Sequence, residues 1–348
     1  MPMGCVRSAG VFAWLVLLLY AIPANAGPPA ITGAPLIDRP ALLNWPDDQP
    51  ALQPDLTEPT ANTLSDLHGS VGGCDMVLST AGNYHMALRD LWYGVYLPHV
   101  ADLGMKNWFY TTSPPVAVDQ IANQHIGVGN LRSSCRPQVA VGPQSLMDGL
   151  ALQQSAEGPP VPIIKNRGNV ILVKKGNPKN ILSIWDLGRD DVRVVFPHQE
   201  LESGSFGNYK NSIYNIALNA RDQAYADELF NRIFNNATVR GKWLSGQRIH
   251  HREVPWSIAV GHADAGLLFY HLALYAVRTF PDRFDIVPLG GTVADPQPLP
   301  GNNVGTLYAV RITGDWNFVQ YTARERMMRA LESTQFTTIL LRHGLDRP

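Results

Sequence analysis

The residues best suited to chemistry are histidines, acids and hydroxyls, and their spacing decides which chemistry is open to them. The chain has 10 histidines, and His250, His251 and His262 stand near Asp264. Imidazole and carboxylate are common zinc and copper ligands. Neither HExxH nor CxxC occurs, however, and adjacent side chains such as His250 and His251 point apart if the segment is a strand. No metal site is assigned. Gly204-Ser205-Phe206-Gly207 lacks the GxSxG spacing of a nucleophile elbow. Asp186, Asp190, Asp191, Glu200 and Glu202 could furnish paired carboxylates, but nothing draws two of them into an apolar pocket where their protonation states would separate. Solvated loop charge is the reading for all five. Gly290-Gly291 lies in a proline-bearing passage with neither GxGxxG nor a P-loop lysine. These exclusions leave a chain expected to perform no catalysis and to require no cofactor.

Composition narrows the class further. The formal net charge is -1 and 16% of residues are charged, below the roughly 25% usual for soluble domains, so no basic field exists to hold nucleic acid. Residues 1–26 carry Arg7, an apolar run from Val11 to Ile22, and the ending Ala24-Asn25-Ala26, the pattern of a signal peptide cleaved after Ala26. That run is short for a bilayer span, and no later segment offers the roughly 20 apolar residues a transmembrane helix requires. A soluble, periplasmic protein is expected. Cys5 falls in the signal without a convincing lipobox, which leaves Cys74 and Cys135. In an oxidising compartment the two suggest one disulfide, whose long loop would contribute about 4 kcal/mol; two buried free thiols are the alternative.

The elements that must position any site follow in order. Prolines recur from Gly27 to about Ala61 with no helical or alternating period, so residues 27–61 read as a proline-rich leader. Asp75–Ser79 is a strand and Tyr84–Val100 a helix by its apolar spacing. Trp108–Thr112, Val116–Asn123, Pro137–Gly142 and Gln144–Gln153 continue the alternation of strand and helix. Pro159-Pro160-Val161-Pro162 breaks the chain. A second alternating block runs through Val170–Lys174, a turn and short helix to Leu187, Val192–Phe196, a long helix Ala220–Phe234 and a strand Leu267–Tyr270. After Phe284–Val287 comes a Gly/Pro-rich passage, then the strand Thr306–Ile312 and a C-terminal helix from Asn317 to about His343. Phe318, Tyr321, Met327, Leu331 and Phe336 supply much of that helix's apolar face. Such alternation favours parallel sheets covered by helices on both faces. The expected division is residues 62–165 plus 291–348 in one lobe and 166–290 in the other, joined by two crossovers that form a hinge.

Four short stretches carry a resemblance when taken in this order: Asp119-Gln120-Ile121 with Val139–Gly142 and Met147-Asp148; Asn169–Val173 with Asn177-Pro178; Gly207-Asn208-Tyr209; and Gly261–Gly266. They resemble the periplasmic binding proteins of ABC importers, type II topology, and within them the molybdate-binding family. The likeness covers most of the chain from Asp75 onward. It implies an α/β fold of two lobes, each a central mostly parallel sheet flanked by helices, closing on a ligand held at strand C-termini and helix N-termini. Unpaired N–H groups and the positive end of the helix dipole attract an anion there without a full cationic side chain.

The resemblance also places candidate ligand contacts. Thr80 and Asn83 follow the first strand, where the family offers its first ligand hydroxyl; Asn83 is equally a good helix cap. Thr112 and Ser113 match the serine-rich second loop, although Pro114 and Pro115, which have no N–H to donate, follow directly. Ser203 and Ser205 lie in a loop before Tyr209, with Ser205 in place of the family's proline. Phe269 stands where the family has a ligand-binding tyrosine, with Tyr270 beside it on the opposite face. Arg167 is a candidate countercharge. Trp108, Phe109, Phe206 and Phe269 could instead line a cleft for a larger, partly apolar solute. The expected function is capture of a small ligand, an oxyanion of the molybdate class first, by a monomer that presents it to an inner-membrane ABC permease. The alternatives are an organic or lipophilic solute, or an exported accessory enzyme or metal-binding protein on the same scaffold.

Overall fold

The computed structural model describes residues 27–37, 66–69, 74–80, 82–105, 108–113, 117–122, 126–128, 131–133, 135–247 and 249–348, with the backbone alone for 66–69, 108–113, 126–128 and 131–133. The expected signal peptide with Arg7 and Cys5, most of the leader, and Pro114 and Pro115 lie outside the described residues. The strands in chain order are β1 (Leu36–Ile37), β2 (Asp66–Gly69), β3 (Met76–Ser79), β4 (Trp108–Ser113), β5 (Ile126–Val128), β6 (Leu131–Ser133), β7 (Val139–Gly142), β8 (Ala156–Lys165), β9 (Asn169–Lys174), β10 (Val194–Phe196), β11 (Trp243–Ser245), β12 (Ala265–Phe269), β13 (Phe284–Pro288) and β14 (Thr306–Ile312). The helices are α1 (His85–Leu91), α2 (Leu97–His99), α3 (Val118–Ala122), α4 (Gln144–Leu152), α5 (Ser203–Ala220), α6 (Gln223–Phe234), α7 (His250–Ala259), α8 (Tyr270–Thr279), α9 (Phe318–Glu332) and α10 (Thr334–Arg342).

Two six-stranded sheets organise the chain, one in the order β2-β4-β3-β7-β14-β8 and the other β1-β11-β10-β12-β9-β13. In both, most strands run in one direction, as expected, with single reversed strands set among them. β3 runs parallel to β4 and β7, and β10 runs parallel to β11 and β12, while β9 and β14 are antiparallel to their neighbours on both sides. The reversed strands are β9 and β14, each of which follows a crossover, and β2, which is antiparallel to β4. In the first lobe the side chains alternate between faces as a strand requires. Met76, Leu78, Val139 and Val141 join the core under α1, α9 and α10, whereas Val77, Ala140 and Val310 join Ile121, Met147 and Leu150 of α3 and α4. The second lobe has one large core in which β9 and β12 are buried on both faces. Residues 27–37 lie along that lobe: β1 pairs with β11, and Asn235 holds the backbone of Ala30, Thr32 and Gly33. Among the described residues no helix is long and apolar enough to cross a membrane.

Several elements differ from the sequence reading. The prolines at 159, 160 and 162 do not break the chain; they sit inside β8, which lies at the sheet edge and pairs with β14 through two shifts of register. An edge strand needs N–H groups on one side only, so it tolerates them. The helix expected over Ala220–Phe234 is α6, which starts three residues later because Asp222 caps it by accepting from Tyr225 N at 2.8 Å, and a longer helix, α5, precedes it where a loop was expected. The C-terminal helix restarts at Ser333, whose hydroxyl accepts from Phe336 N. Met327, Leu331 and Phe336 are buried as expected, but the first turn is not. Phe318 is 79% exposed and Tyr321 51%, while Arg324 is buried and ion-paired to Glu157 and Glu325.

The two crossovers, between β8 and β9 and between β13 and β14, are stitched together by asparagines. Asn302 accepts from Asn169 N and donates to Asn169 O, both at 2.9 Å, as a strand partner would. Asn166 accepts from Gly168 N and Gly305 N and donates to the Tyr84 hydroxyl at 3.1 Å. Replacing Asn302 by alanine leaves a buried N–H and a buried C=O unmet, so N302A is expected to lose about 1–3 kcal/mol of stability. Urea unfolding checks it; an unchanged midpoint would show the clasp to be incidental.

Candidate functional site

Three helices of the second lobe begin directly after parallel strands: α5 after β10, α7 after β11, and α8 after β12. In open α/β sheets ligands bind outside such carboxyl ends. From the first lobe, β3 ends at Ser79 and a single turn leads through Asn83 into α1. These ends meet. Asn83 Nδ2 donates to Ser205 Oγ at 3.2 Å, and the His271 Nε2 proton goes to the Asn83 carbonyl at 2.7 Å, since that oxygen can only accept. The Tyr84 ring stacks on His271 with centroids 4.6 Å apart, and the His85 ring lies 5.4 Å from that of His251. The cleft between lobes is thus walled by residues 83–85 on one side and the first turns of α5, α7 and α8 on the other.

Burial sets the protonation of this wall. The His271 imidazole is pushed down to about 3 by desolvation, partly countered by its bond to Asn83, so it is neutral near pH 7. His251 is held well below its ordinary value by burial first and then by the neighbouring His85, His250, Arg252 and His271. Burial raises the Tyr84 phenol to about 12, despite the hydrogen bond from Asn166. A row of bonds lies behind the wall. Glu202 accepts from His250 Nδ1 at 2.7 Å and from His250 N at 3.0 Å, His250 Nε2 faces the Tyr209 hydroxyl at 3.0 Å, and Phe269 N donates to that oxygen at 3.4 Å. The Tyr209 oxygen is fully buried and engaged on both sides, so the row ties α5, α7 and β12 together. Its phenol is raised well above the usual value by desolvation.

The structure brings Asn83 and Ser205 into contact, while the other sequence candidates are distributed differently. Thr80 is fully buried at the end of β3. Thr112 and Ser113 end β4, next to β3, with Ser79 opposite Thr111; their side chains lie outside the description, as do those of Trp108 and Phe109. Residues 203–209 are not a loop but the opening turns of α5, with Ser203 exposed and Ser205 half-buried. Tyr209 is a buried strut rather than an open ligand hydroxyl. Phe206 does not line the cleft; it packs in the lobe core against Phe196, Phe234 and Trp243. Phe269 lies between Tyr209 and His271, at 5.2 and 5.7 Å. Tyr270 belongs to α8, not to the strand, and its hydroxyl donates to Val293 O on the return crossover. Arg167 is clasped by both carboxylate oxygens of Asp346, at 2.9 and 2.7 Å, so its charge is matched within the protein.

Sequence reasoning passed over His85 and His271, and weighed His251 only as a metal ligand. The helix 250–259 places His250 and His251 at its N-terminus rather than on opposite faces of a strand. Pro255 falls inside α7 and has no N–H for the His251 carbonyl four residues back. Among the described residues no three histidine, cysteine or acidic side chains are grouped to hold a metal. The cysteines expected to pair do so, Cys74 to Cys135 with Cα atoms 5.2 Å apart.

Comparison with known proteins agrees with this layout. Residues 131–346 match the family described as bacterial extracellular solute-binding protein. A sulfate-binding protein of Salmonella typhimurium is 30% identical over 130 residues, 36% of this chain and 38% of that protein, so the match spans well under half of the relative's length. The sulfate-binding protein SubI of Mycobacterium tuberculosis has a similar structure, with a TM-score of 0.52 at 15% identity over 78% of this chain and 86% of that one. The periplasmic molybdate-binding protein of Azotobacter vinelandii gives 0.50 at 13% identity over 78% of this chain and 99% of that one. At such identities the likeness speaks for the fold, which is that of the two-lobed periplasmic binding proteins.

Proposed function

The chain belongs to the bacterial extracellular solute-binding proteins, and from that premise we propose that it captures a tetrahedral oxyanion of the sulfate and molybdate class between its lobes and delivers it, as a periplasmic monomer, to an ABC permease. One observation carries the reading: the direct bond from Asn83 on one lobe to Ser205 in the first turn of α5 on the other. An amide and a hydroxyl are the donors an oxyanion uses, and the first turn of an eighteen-residue helix adds unpaired N–H groups and the positive end of its dipole. Buried Arg252 stands two residues after His250 on α7, close enough for its charge to act on His251. Contacts from both lobes exist only when they are closed, so ligand affinity and closure are linked by population shift. No step of bond making is assigned to the protein.

Thermal unfolding with sulfate, molybdate, tungstate or phosphate tests the proposal. An anion at 100 times its dissociation constant should add about 2.7 kcal/mol. Replacing Ser205 by alanine removes one donor and should weaken that anion by about tenfold, or about 1.4 kcal/mol. The reading fails if none of the four anions moves the midpoint at saturating concentration.

A further inference from the structure

His251 is the second residue of α7 and only 6% exposed, yet neither of its ring nitrogens has a hydrogen-bond partner among the described residues. Buried polar atoms in native folds are nearly always paired, and one that is not points to a group that pairs with it in use. Its position shows where that group would sit. The ring lies 5.4 Å from His85 of the opposite lobe and 5.7 Å from its neighbour His250, so it stands where the two lobes meet. His250 is otherwise occupied, with both ring nitrogens facing Glu202 and Tyr209.

The His251 ring is neutral, since burial first, and then the Arg252 guanidinium among its neighbours, holds it well below the ordinary range. A neutral imidazole presents one N–H and one bare lone pair, whichever nitrogen carries the proton. A guest that meets both must offer an acceptor and a donor. Sulfate and molybdate offer oxygen acceptors alone. Hydrogen phosphate and hydrogen arsenate, tetrahedral and with the same double charge at mildly alkaline pH, offer an O–H as well. A site built to bond a hydroxyl rejects the analogue without one, because its own polar group is then left unmet. We propose that His251 is a specificity-determining residue that selects oxyanions retaining a hydroxyl, of the hydrogen-phosphate kind, over sulfate and molybdate. This deepens the oxyanion reading and rests on it.

Calorimetric titration of the full mature chain at mildly alkaline pH, with phosphate, arsenate, sulfate and molybdate in turn, provides the test. Phosphate and arsenate should bind at least about 100-fold more tightly than the other two. In His251→Phe the ratio should collapse to within about threefold, whereas His251→Gln, which keeps one donor and one acceptor, should retain most of it. Sulfate or molybdate binding as well as phosphate in the unaltered protein overturns the inference and leaves the oxyanion reading standing, and that comparison needs no variant to fold. A ratio unchanged in a folded His251→Phe protein overturns it too. Binding of none of the four anions removes both the inference and the reading beneath it.

Discussion

Lowering the pH from 6.5 toward 5.5 should already destabilise the protein, before its carboxylates begin to titrate. His271 has an ordinary value of 6.5 and is pushed down to about 3 in the folded protein. Above about pH 6.5 the ring is neutral both folded and unfolded, and the native state keeps its full stability. Below that the unfolded chain takes up a proton that the native one refuses, so stability falls at about 1.4 kcal/mol per pH unit for this group and reaches a loss on the order of 4 kcal/mol near pH 3. His251 acts in the same direction. The groups around His271 offer no relief: Tyr84 and Phe269 cover its faces, Asn83 O takes its one proton, and His343 and His250 add repulsion. Carboxylates held low by partners, such as Asp90 beside His343 and Asp285 beside Lys175, lose their contribution only as pH drops below about 3.8. Glu325, held below an ordinary value of 4.5, starts to lose its contribution somewhat higher, so guanidinium unfolding between about pH 7 and 5.5 isolates the histidines. A flat profile over that window would refute the account, and His271→Gln, which still donates to Asn83, should flatten it.

Reduction of the disulfide is the other large expected effect. Cys74 stands just before β3 and Cys135 before β7, and these strands pair in parallel with Leu78 opposite Val139. The bridge closes a loop with a sequence separation of 61, and on the chain-entropy account its loss costs about 4 kcal/mol. Cys74 is also an anchor through its backbone: its carbonyl accepts from Gln138 and from Gln320 of α9. A chain with both cysteines replaced by serine should lose its first lobe at lower denaturant than its second, whose core contains neither residue. Tryptophan fluorescence and circular dichroism would then report separate transitions. A change below about 1 kcal/mol would mean that the denatured chain is already constrained there.

Strands were legible where apolar runs ended at turns. Thr306–Ile312 coincides with β14, and Asn169–Leu187 unfolds into β9, a turn and a short 3-10 helix as its pattern implied. Helices were harder. α5 begins with Ser, Gly, Ser and Gly, poor helix formers that read as a loop, and it holds because Phe206, Tyr209, Ile213 and Ile216 bury one face in the lobe core. α7 hides behind two histidines and a proline, its helicity set by burial of nearly every residue rather than by propensity. The same gap separates the site's legible part from the rest. Asn83 and Ser205 could be chosen because each follows a strand that sequence could find. His85, His251 and His271 become neighbours only through the pairing of two lobes, and Arg167 is claimed by Asp346, 179 residues away, a contact no local pattern encodes.

The edge position of β8 has a further consequence. A rim strand with free N–H groups is a template on which a second chain can add itself, the usual start of fibrils and sticky clumps. With prolines at 159, 160 and 162 three of the ten positions of β8 have no donor, so along that rim one molecule offers another less to zip onto.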